Sequence, residues 1–200
     1  MLKRGQDWTT TVNSDEKVFV LQPLQRAAWA PKGNRRQRFT RHFPSKLMVW
    51  GAISMHGSTK LAFIPGTLDA TAYQSVLQTT LVPLGKRLNR LGMGWSFQQD
   101  NARPHVAFST MAWLAAHPIL PLPISWPACS PDASPIENLW ALVERDVDQS
   151  NPTDLTELRK AIEDSWKAHT DCATCMTSLM GGWKRRVQQL AANGGSTLKY

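Results

Sequence analysis

Residues 46–66 read KLMVWGAISMHGSTKLAFIPG, two apolar runs on either side of Met55-His56-Gly57. Runs of this length around a Gly-containing break signal a hairpin, so 46–54 and 58–66 are expected to pair as antiparallel strands. The preceding segment, TTTVNSDEKVFVLQ over 9–22, is also β-branched, with Ser14-Asp15-Glu16 reading as a turn-like interruption. A meander of this kind must be buried against other elements of the chain.

The remainder of the sequence is mostly helical in period. Over 69–91, Tyr73, Val76, Leu77, Leu81, Leu84 and Leu88 form one stripe, with Asp69 placed as a cap and Pro83 as the site of a kink. A short strand at 94–100, a helix at 105–117 and a short strand at 122–125 come next. Further helices are expected over 134–149, 154–169 and 173–192, the last ending at Asn193-Gly194-Gly195. The order predicts one α/β domain over residues 1–200 with a mixed sheet, its core at about 8–150 and a helical tail at 151–200.

Composition narrows the class. The apolar content of 42% and nine Trp suit a globular core. No apolar run approaches the ~20 residues that cross a bilayer, and the opening MLKRGQDWTTT lacks the apolar centre of a secretory signal. No membrane partner is expected, and the chain reads as intracellular, nuclear in a eukaryotic host. Three cysteines, Cys129, Cys172 and Cys175, cannot all pair, which argues against a disulfide framework. His169 with Cys172 and Cys175 makes a poor zinc site for want of a fourth ligand.

The net charge of +8 is unevenly spread. Residues 1–99 carry only four acids (Asp7, Asp15, Glu16 and Asp69), and none occurs between Lys17 and Leu68. Within that span PKGNRRQRFTRH gathers Arg35, Arg36, Arg38 and Arg41. Such a run is either a solvated loop or a surface for the phosphate backbone of DNA.

Against this background three carboxylates stand out. Asp15 lies in the first strand region, and Asp100 ends the strand at 94–100. Glu137 sits three residues after Ser134, where the two spell a capping box with Pro135 at the first helical position. Ile136, Leu139, Trp140, Val143 and Val147 form the buried stripe of that helix, and Glu137 borders it. Glu137 therefore either ties down a helix or faces a site at the carboxyl ends of the strands. Asp132 is an alternative third acid, read first as a turn residue.

The strings NSDEKVF, MVWGAIS, IPGTLDATAYQSVL, QQDNARPHVA and WPACSPDASPIENLW, in this order and with the tail GGWKRRVQQLAANGG, resemble the catalytic domain of the Tc1/mariner transposases. The resemblance implies an RNase H-like mixed sheet flanked by helices, and a DDE triad of Asp15, Asp100 and Glu137. It implies metal-dependent DNA cleavage and strand transfer in transposition, with two Mg²⁺ (or Mn²⁺) ions about 4 Å apart held by those three residues. DNA, as transposon ends and target, is the implied partner, with a homodimer in the transposition complex. Asn101 and His105 beside the second Asp would orient water or DNA. Lys184, Arg185 and Arg186 of the tail join the four arginines as expected DNA contacts.

Family members place helix-turn-helix modules before this domain, and no such pattern precedes Asp15 here. Ala133-Ser134 also stand where the family often has Leu-Asn. The alternative reading is a non-catalytic DNA-binding remnant or domesticated fragment of a transposon.

Overall fold

The computed structural model describes residues 10–21, 45–117, 119, 134–183, 185 and 189 of the chain. Strand β1 runs over Thr11–Val20 and pairs antiparallel with β2, Lys46–Ser54. β2 turns through Met55-His56 into β3, Gly57–Ser58, and also pairs with β4, Ala62–Ile64. β5, Ser96–Gln98, lies parallel to β1 on its other side. The sheet order is β3-β2-β1-β5, with β4 paired to β2 off this path.

The turn expected at Ser14-Asp15-Glu16 is instead part of an unbroken strand. Asn13, Ser14, Asp15 and Glu16 pair with Ile53, Ala52, Gly51 and Trp50. Ladder pairing on one side and the Ser14 hydroxyl, which donates to Gln98 O at 3.1 Å on the other, hold these polar residues extended.

Strand alternation splits the core in two. Phe19, Val49 and Ile53 face a layer made by α5 (Pro135–Ser150), α6 (Leu155–Asp171) and α7 (Ala173–Gly181). Val12, Trp50, Ala52 and Phe97 face the opposite layer. That layer holds α1 (Ala70–Val76), a π-helical turn (Leu77–Leu81), α2 (Val82–Arg90) and α4 (Phe108–Ala116). The result is a mixed sheet between two helical layers, as expected.

Asp69 caps α1 by accepting from Ala72 N–H at 2.8 Å. The kink expected at Pro83 takes the form of the widened turn before it, where Val82 N–H reaches back to Leu77 O. A proline cannot supply the N–H of a regular turn, and the wider turn absorbs the loss.

The single helix expected at 105–117 is two, α3 (Arg103–Val106) and α4, separated at Ala107 with ψ 140°. The Thr110 hydroxyl donates to Pro104 O at 2.7 Å across this break. The break lets His105 turn inward on one element while Thr110 and Leu114 turn inward on the next.

Gly51 has a packing reason. A Cβ there would lie 2.7 Å from Trp166 Cη2 and 3.0 Å from Leu61 Cδ2. Trp166 is locked by its Nε1 bond to Thr59 O at 3.1 Å and packs on Trp140 at 4.8 Å between centroids. Trp50, Trp140, Trp166 and Trp183 are all core residues.

Cys172 and Cys175 are joined to each other at the start of α7, a bridge between residues three apart that staples no other element. His169 Nε2 lies 2.7 Å from Asp146 Oδ2 and links α6 to α5. The expected strand at 122–125, the alternative acid Asp132 and the end of the last helix at 193–195 fall outside the described residues.

Candidate active site

Parallel pairing of β1 with β5 aligns Asn13 with Gln98. Asp15 and Asp100 each stand two residues beyond that pair, so the two acids lie at the same level, Asp15 within β1 and Asp100 just past the end of β5. Asp100 sits where β5 has ended, the carboxyl-end position at which open α/β sheets form their crevices.

α5 brings the third acid. Ile136, Leu139 and Trp140 are fully buried, Trp140 meets Phe19 edge-on at 6.0 Å, and Glu144 pairs with Lys17 at 2.8 Å. Phe19, Lys17 and Asp15 lie on one face of β1, so α5 runs over the face that carries Asp15. Glu137, half-buried in the first turn of α5, is thereby carried toward Asp15.

Electrostatics records the convergence. Burial, then the charge of Glu137, then that of Glu16 and that of Asp100 push the Asp15 carboxyl up to about 7. Like charges close together in a partly dry site resist joint ionisation. Glu137 itself gains from the positive end of its helix, which favours a carboxylate in the first turn.

The capping role expected of Ser134 is only half realised. Ser134 occupies the N-cap backbone position, but its side chain makes no cap hydrogen bond, and its buried Oγ has no partner among the described residues. A reciprocal arrangement of the expected type appears on α6 instead. There the Asp154 carboxylate accepts from Thr156 and Glu157 N–H, and Glu157 accepts from Thr153 N–H at 2.8 Å.

His105 is 3% exposed and braces the second acid. Its Nδ1 lies 2.6 Å from Asp100 Oδ1 and its Nε2 lies 3.2 Å from Glu16 Oε1. Burial alone would lower its pKa, but the bonds to Asp100 and Glu16 outweigh it and raise the value to about 9. The bond from His105 is also the main reason why Asp100 is held below the usual carboxylate value. Ala102 N–H donates to the same Oδ1 at 2.8 Å, so neither bond consumes Oδ2.

The ring of Tyr73 packs against His105 at 4.1 Å between centroids. Its hydroxyl donates to Gln99 Oε1 at 2.8 Å, and Gln99 Nε2 donates to His105 O at 3.1 Å. Burial first, and the charge of Glu16 next, keep the Tyr73 phenol well above its ordinary value and hence neutral.

Glu16, Tyr73 and Gln99 were not singled out in the sequence. Strand alternation was the available signal for Glu16, because it places the residue after Asp15 on the opposite face. Tyr73 and Gln99 join the site only through long-range packing. Among the expected DNA contacts, Asn101 is exposed directly after Asp100, and Arg185 is exposed on the tail. Arg35, Arg36, Arg38, Arg41, Lys184 and Arg186 lie outside the described residues.

The three carboxylates Asp15, Asp100 and Glu137 offer hard oxygen donors of the kind that Mg²⁺ and Mn²⁺ prefer. The crowding that raises Asp15 is a charge imbalance that a divalent cation would relieve. Among the described residues no group of three or more acid, His or Cys side chains is drawn together closely enough to hold a metal ion.

Known proteins are similar to this chain in sequence and in fold. The chain is 32% identical to the Tc3 transposase of Caenorhabditis elegans, covering 98% of this chain and about 60% of that protein's length. It is 28% identical to the Tc1 transposase of the same organism, covering 72% of it. The crystal structure of the catalytic domain of Mos1 mariner transposase superposes with TM-score 0.73 at 19% identity, over 98% of this chain and 87% of that one. The Mos1 mariner paired end complex with Mn gives 0.75 at 22% identity, over 98% and 59%. The expected RNase H-like, Tc1/mariner-type architecture is therefore the observed one. The DDE superfamily endonuclease model matches residues 10–159, and the chain belongs to that family.

Proposed function

We propose that this chain is the catalytic domain of a DNA transposase that cuts and joins DNA strands with divalent metal ions. The observation that carries the reading is the placing of Asp15, Asp100 and the first turn of α5 with Glu137 at the meeting of two parallel strands and a helix N-terminus, where burial first, and then the charges of Glu137, Glu16 and Asp100, raise the Asp15 carboxyl. A structural acid has no need of three like charges around it, whereas an ion-binding site does.

In this reading Asp15, Asp100 and Glu137 hold Mg²⁺ or Mn²⁺, two ions in all. When bound, the ions supply activation of the attacking oxygen and stabilisation of the leaving one in displacement at phosphorus. The chain's own residues prepare the site. His105 and Ala102 N–H fix Asp100 through Oδ1. Tyr73 and Gln99 hold the His105 turn in place. The buried stripe of α5 keeps Glu137 over the strand that carries Asp15.

DNA is the substrate of this reading, with transposon ends and a target as its two forms, bound by a pair of chains. The expected contacts Arg35, Arg36, Arg38, Arg41, Lys184, Arg185 and Arg186 belong to it. Support comes from solved Mos1 assemblies described as a paired-end complex with the left transposon end and as a strand transfer complex. Mos1 catalytic domain structures with Mg and with Mn support the choice of ion.

Mn²⁺ binding followed by electron paramagnetic resonance tests the proposal without DNA. The wild-type chain should bind the ion, and Asp15→Asn or Glu137→Gln should weaken binding by tenfold or more. Equal binding by all three would assign the carboxylates to a structural role.

A further inference from the structure

A second cleft lies on the far side of β2 from Asp15. It has a volume of about 470 Å³ and opens between the Ser58–Leu61 segment and α6. That volume falls within the roughly 300–1,000 Å³ of ordinary ligand sites. Its floor includes Trp166, the side chain that covers Gly51, and Gly51 is the register partner of Asp15. Trp166 is therefore the divide between the carboxylate site and this cleft.

Three cations line the cleft: Lys60 from the sheet edge, Arg87 from α2 and Lys167 from α6. Among the described residues no carboxylate stands within ion-pair distance of any of them. Of the two acids on the rim, Glu163 is already paired with Arg159 at 3.2 Å, which leaves Asp171 against three positive charges. Arg87 is also placed by the fold. Its guanidinium occupies the space where a Cβ on residue 57 would stand, and Gly57, with φ +143°, has none. Its Nη2 donates to Ser58 O at 3.4 Å. The hydroxyl-bearing Ser58 and Thr170 complete the wall.

Cations without a carboxylate partner, set around hydroxyls in a cleft of ligand size, are the chemistry that recognises phosphodiesters. We propose that this cleft binds the sugar-phosphate backbone of DNA beside the cleavage site, through Lys60, Arg87 and Lys167. This rests on the reading of the chain as a DNA-cutting domain. It adds a contact surface, on the far side of Trp166 from Asp15, that the carboxylates do not provide.

The test is the salt dependence of DNA affinity, measured by fluorescence anisotropy with a labelled duplex of arbitrary sequence in EDTA, so that no cleavage occurs. Each phosphate contact contributes about 0.9 to the slope of log K against log salt. The triple variant Lys60→Gln/Arg87→Gln/Lys167→Gln should therefore lower the slope by about two to three. An unchanged slope overturns the proposal, as does weakened binding of inorganic phosphate with the DNA slope intact. A second measurement uses the unmutated chain: bound duplex should protect Lys60 and Lys167 from acetylation, and equal labelling with and without DNA also overturns it. Asp15→Asn should keep the full slope in EDTA and, in a separate assay with Mn²⁺, lose cleavage. Retained cleavage there would sink the carboxylate reading and leave the cleft result standing.

Discussion

His105 Nδ1 stands 2.6 Å from Asp100 Oδ1, and the other ring nitrogen stands 3.2 Å from Glu16 Oε1. One buried imidazole thus spans two carboxylates on neighbouring parts of the sheet. Its folded pKa of about 9 exceeds its ordinary 6.5. A group raised on folding stabilises the fold fully below its unfolded pKa, and that stabilisation is lost as pH rises through the folded value. Thermal melts in EDTA should show wild-type stability declining between about pH 6.5 and 9. His105→Gln should lower the melting temperature at pH 6 and flatten this decline. An equally steep decline in the variant would place the titration elsewhere.

Asp15 is expected to behave as a destabilising charge in the absence of metal. Its pKa rises from 3.8 to about 7 on folding, so the proton it holds below that range is given up at a cost. Asp15→Asn should therefore stabilise the metal-free chain above pH 7, by on the order of 2 kcal/mol after solvent screening. Below about pH 3 the gain should vanish, because the carboxyl is then neutral in both states of the chain. A variant less stable than wild type at pH 8 would mean that Asp15 is paired rather than crowded.

Much of this arrangement was legible in the order of residues, and the misses have physical causes. The hairpin arm at 46–54, the Asp69 cap and the stripe of Ile136, Leu139, Trp140, Val143 and Val147 all reappear as read, because local pattern determines them. Ser14-Asp15-Glu16 looked like a turn because three polar residues in a strand have no local explanation. Their reason is non-local, in the ladder to Ala52, Gly51 and Trp50 and in the site they face. The link from Glu16 to His105 spans 89 positions and left no periodic trace. The capping box at Ser134 is a sound local pattern, yet the buried hydroxyl has no partner among the described residues.

That buried hydroxyl makes a prediction opposite to the one its sequence context invites. Loss of a working N-cap side chain costs about 1 kcal/mol, but the Ser134 hydroxyl makes no cap bond and has no partner among the described residues. Ser134→Ala should be neutral or slightly stabilising in a chemical denaturation curve. A loss near 1 kcal/mol would show that the capping bond forms in solution.

Gly51→Ala should destabilise the sheet from the α6 side. The new methyl would meet Trp166 Cη2 at 2.7 Å, and Trp166 is held by its bond to Thr59 O. Overpacking of this kind costs about 1–3 kcal/mol, or roughly 2–4 °C in melting temperature per kcal/mol for a chain of this size. An unchanged melt would mean that Trp166 moves freely.

Nicking of supercoiled plasmid by the purified chain in Mn²⁺ addresses the proposed chemistry most directly. The carboxylate site predicts nicking by the wild-type chain that stops in EDTA, and none by Asp15→Asn, Asp100→Asn or Glu137→Gln. Glu137→Gln preserves the shape of the first turn of α5 and removes only a charge, so its melt should stay close to wild type. Wild-type nicking that persists undiminished in Glu137→Gln or Asp15→Asn, or a folded wild-type chain that never nicks DNA, would contradict it.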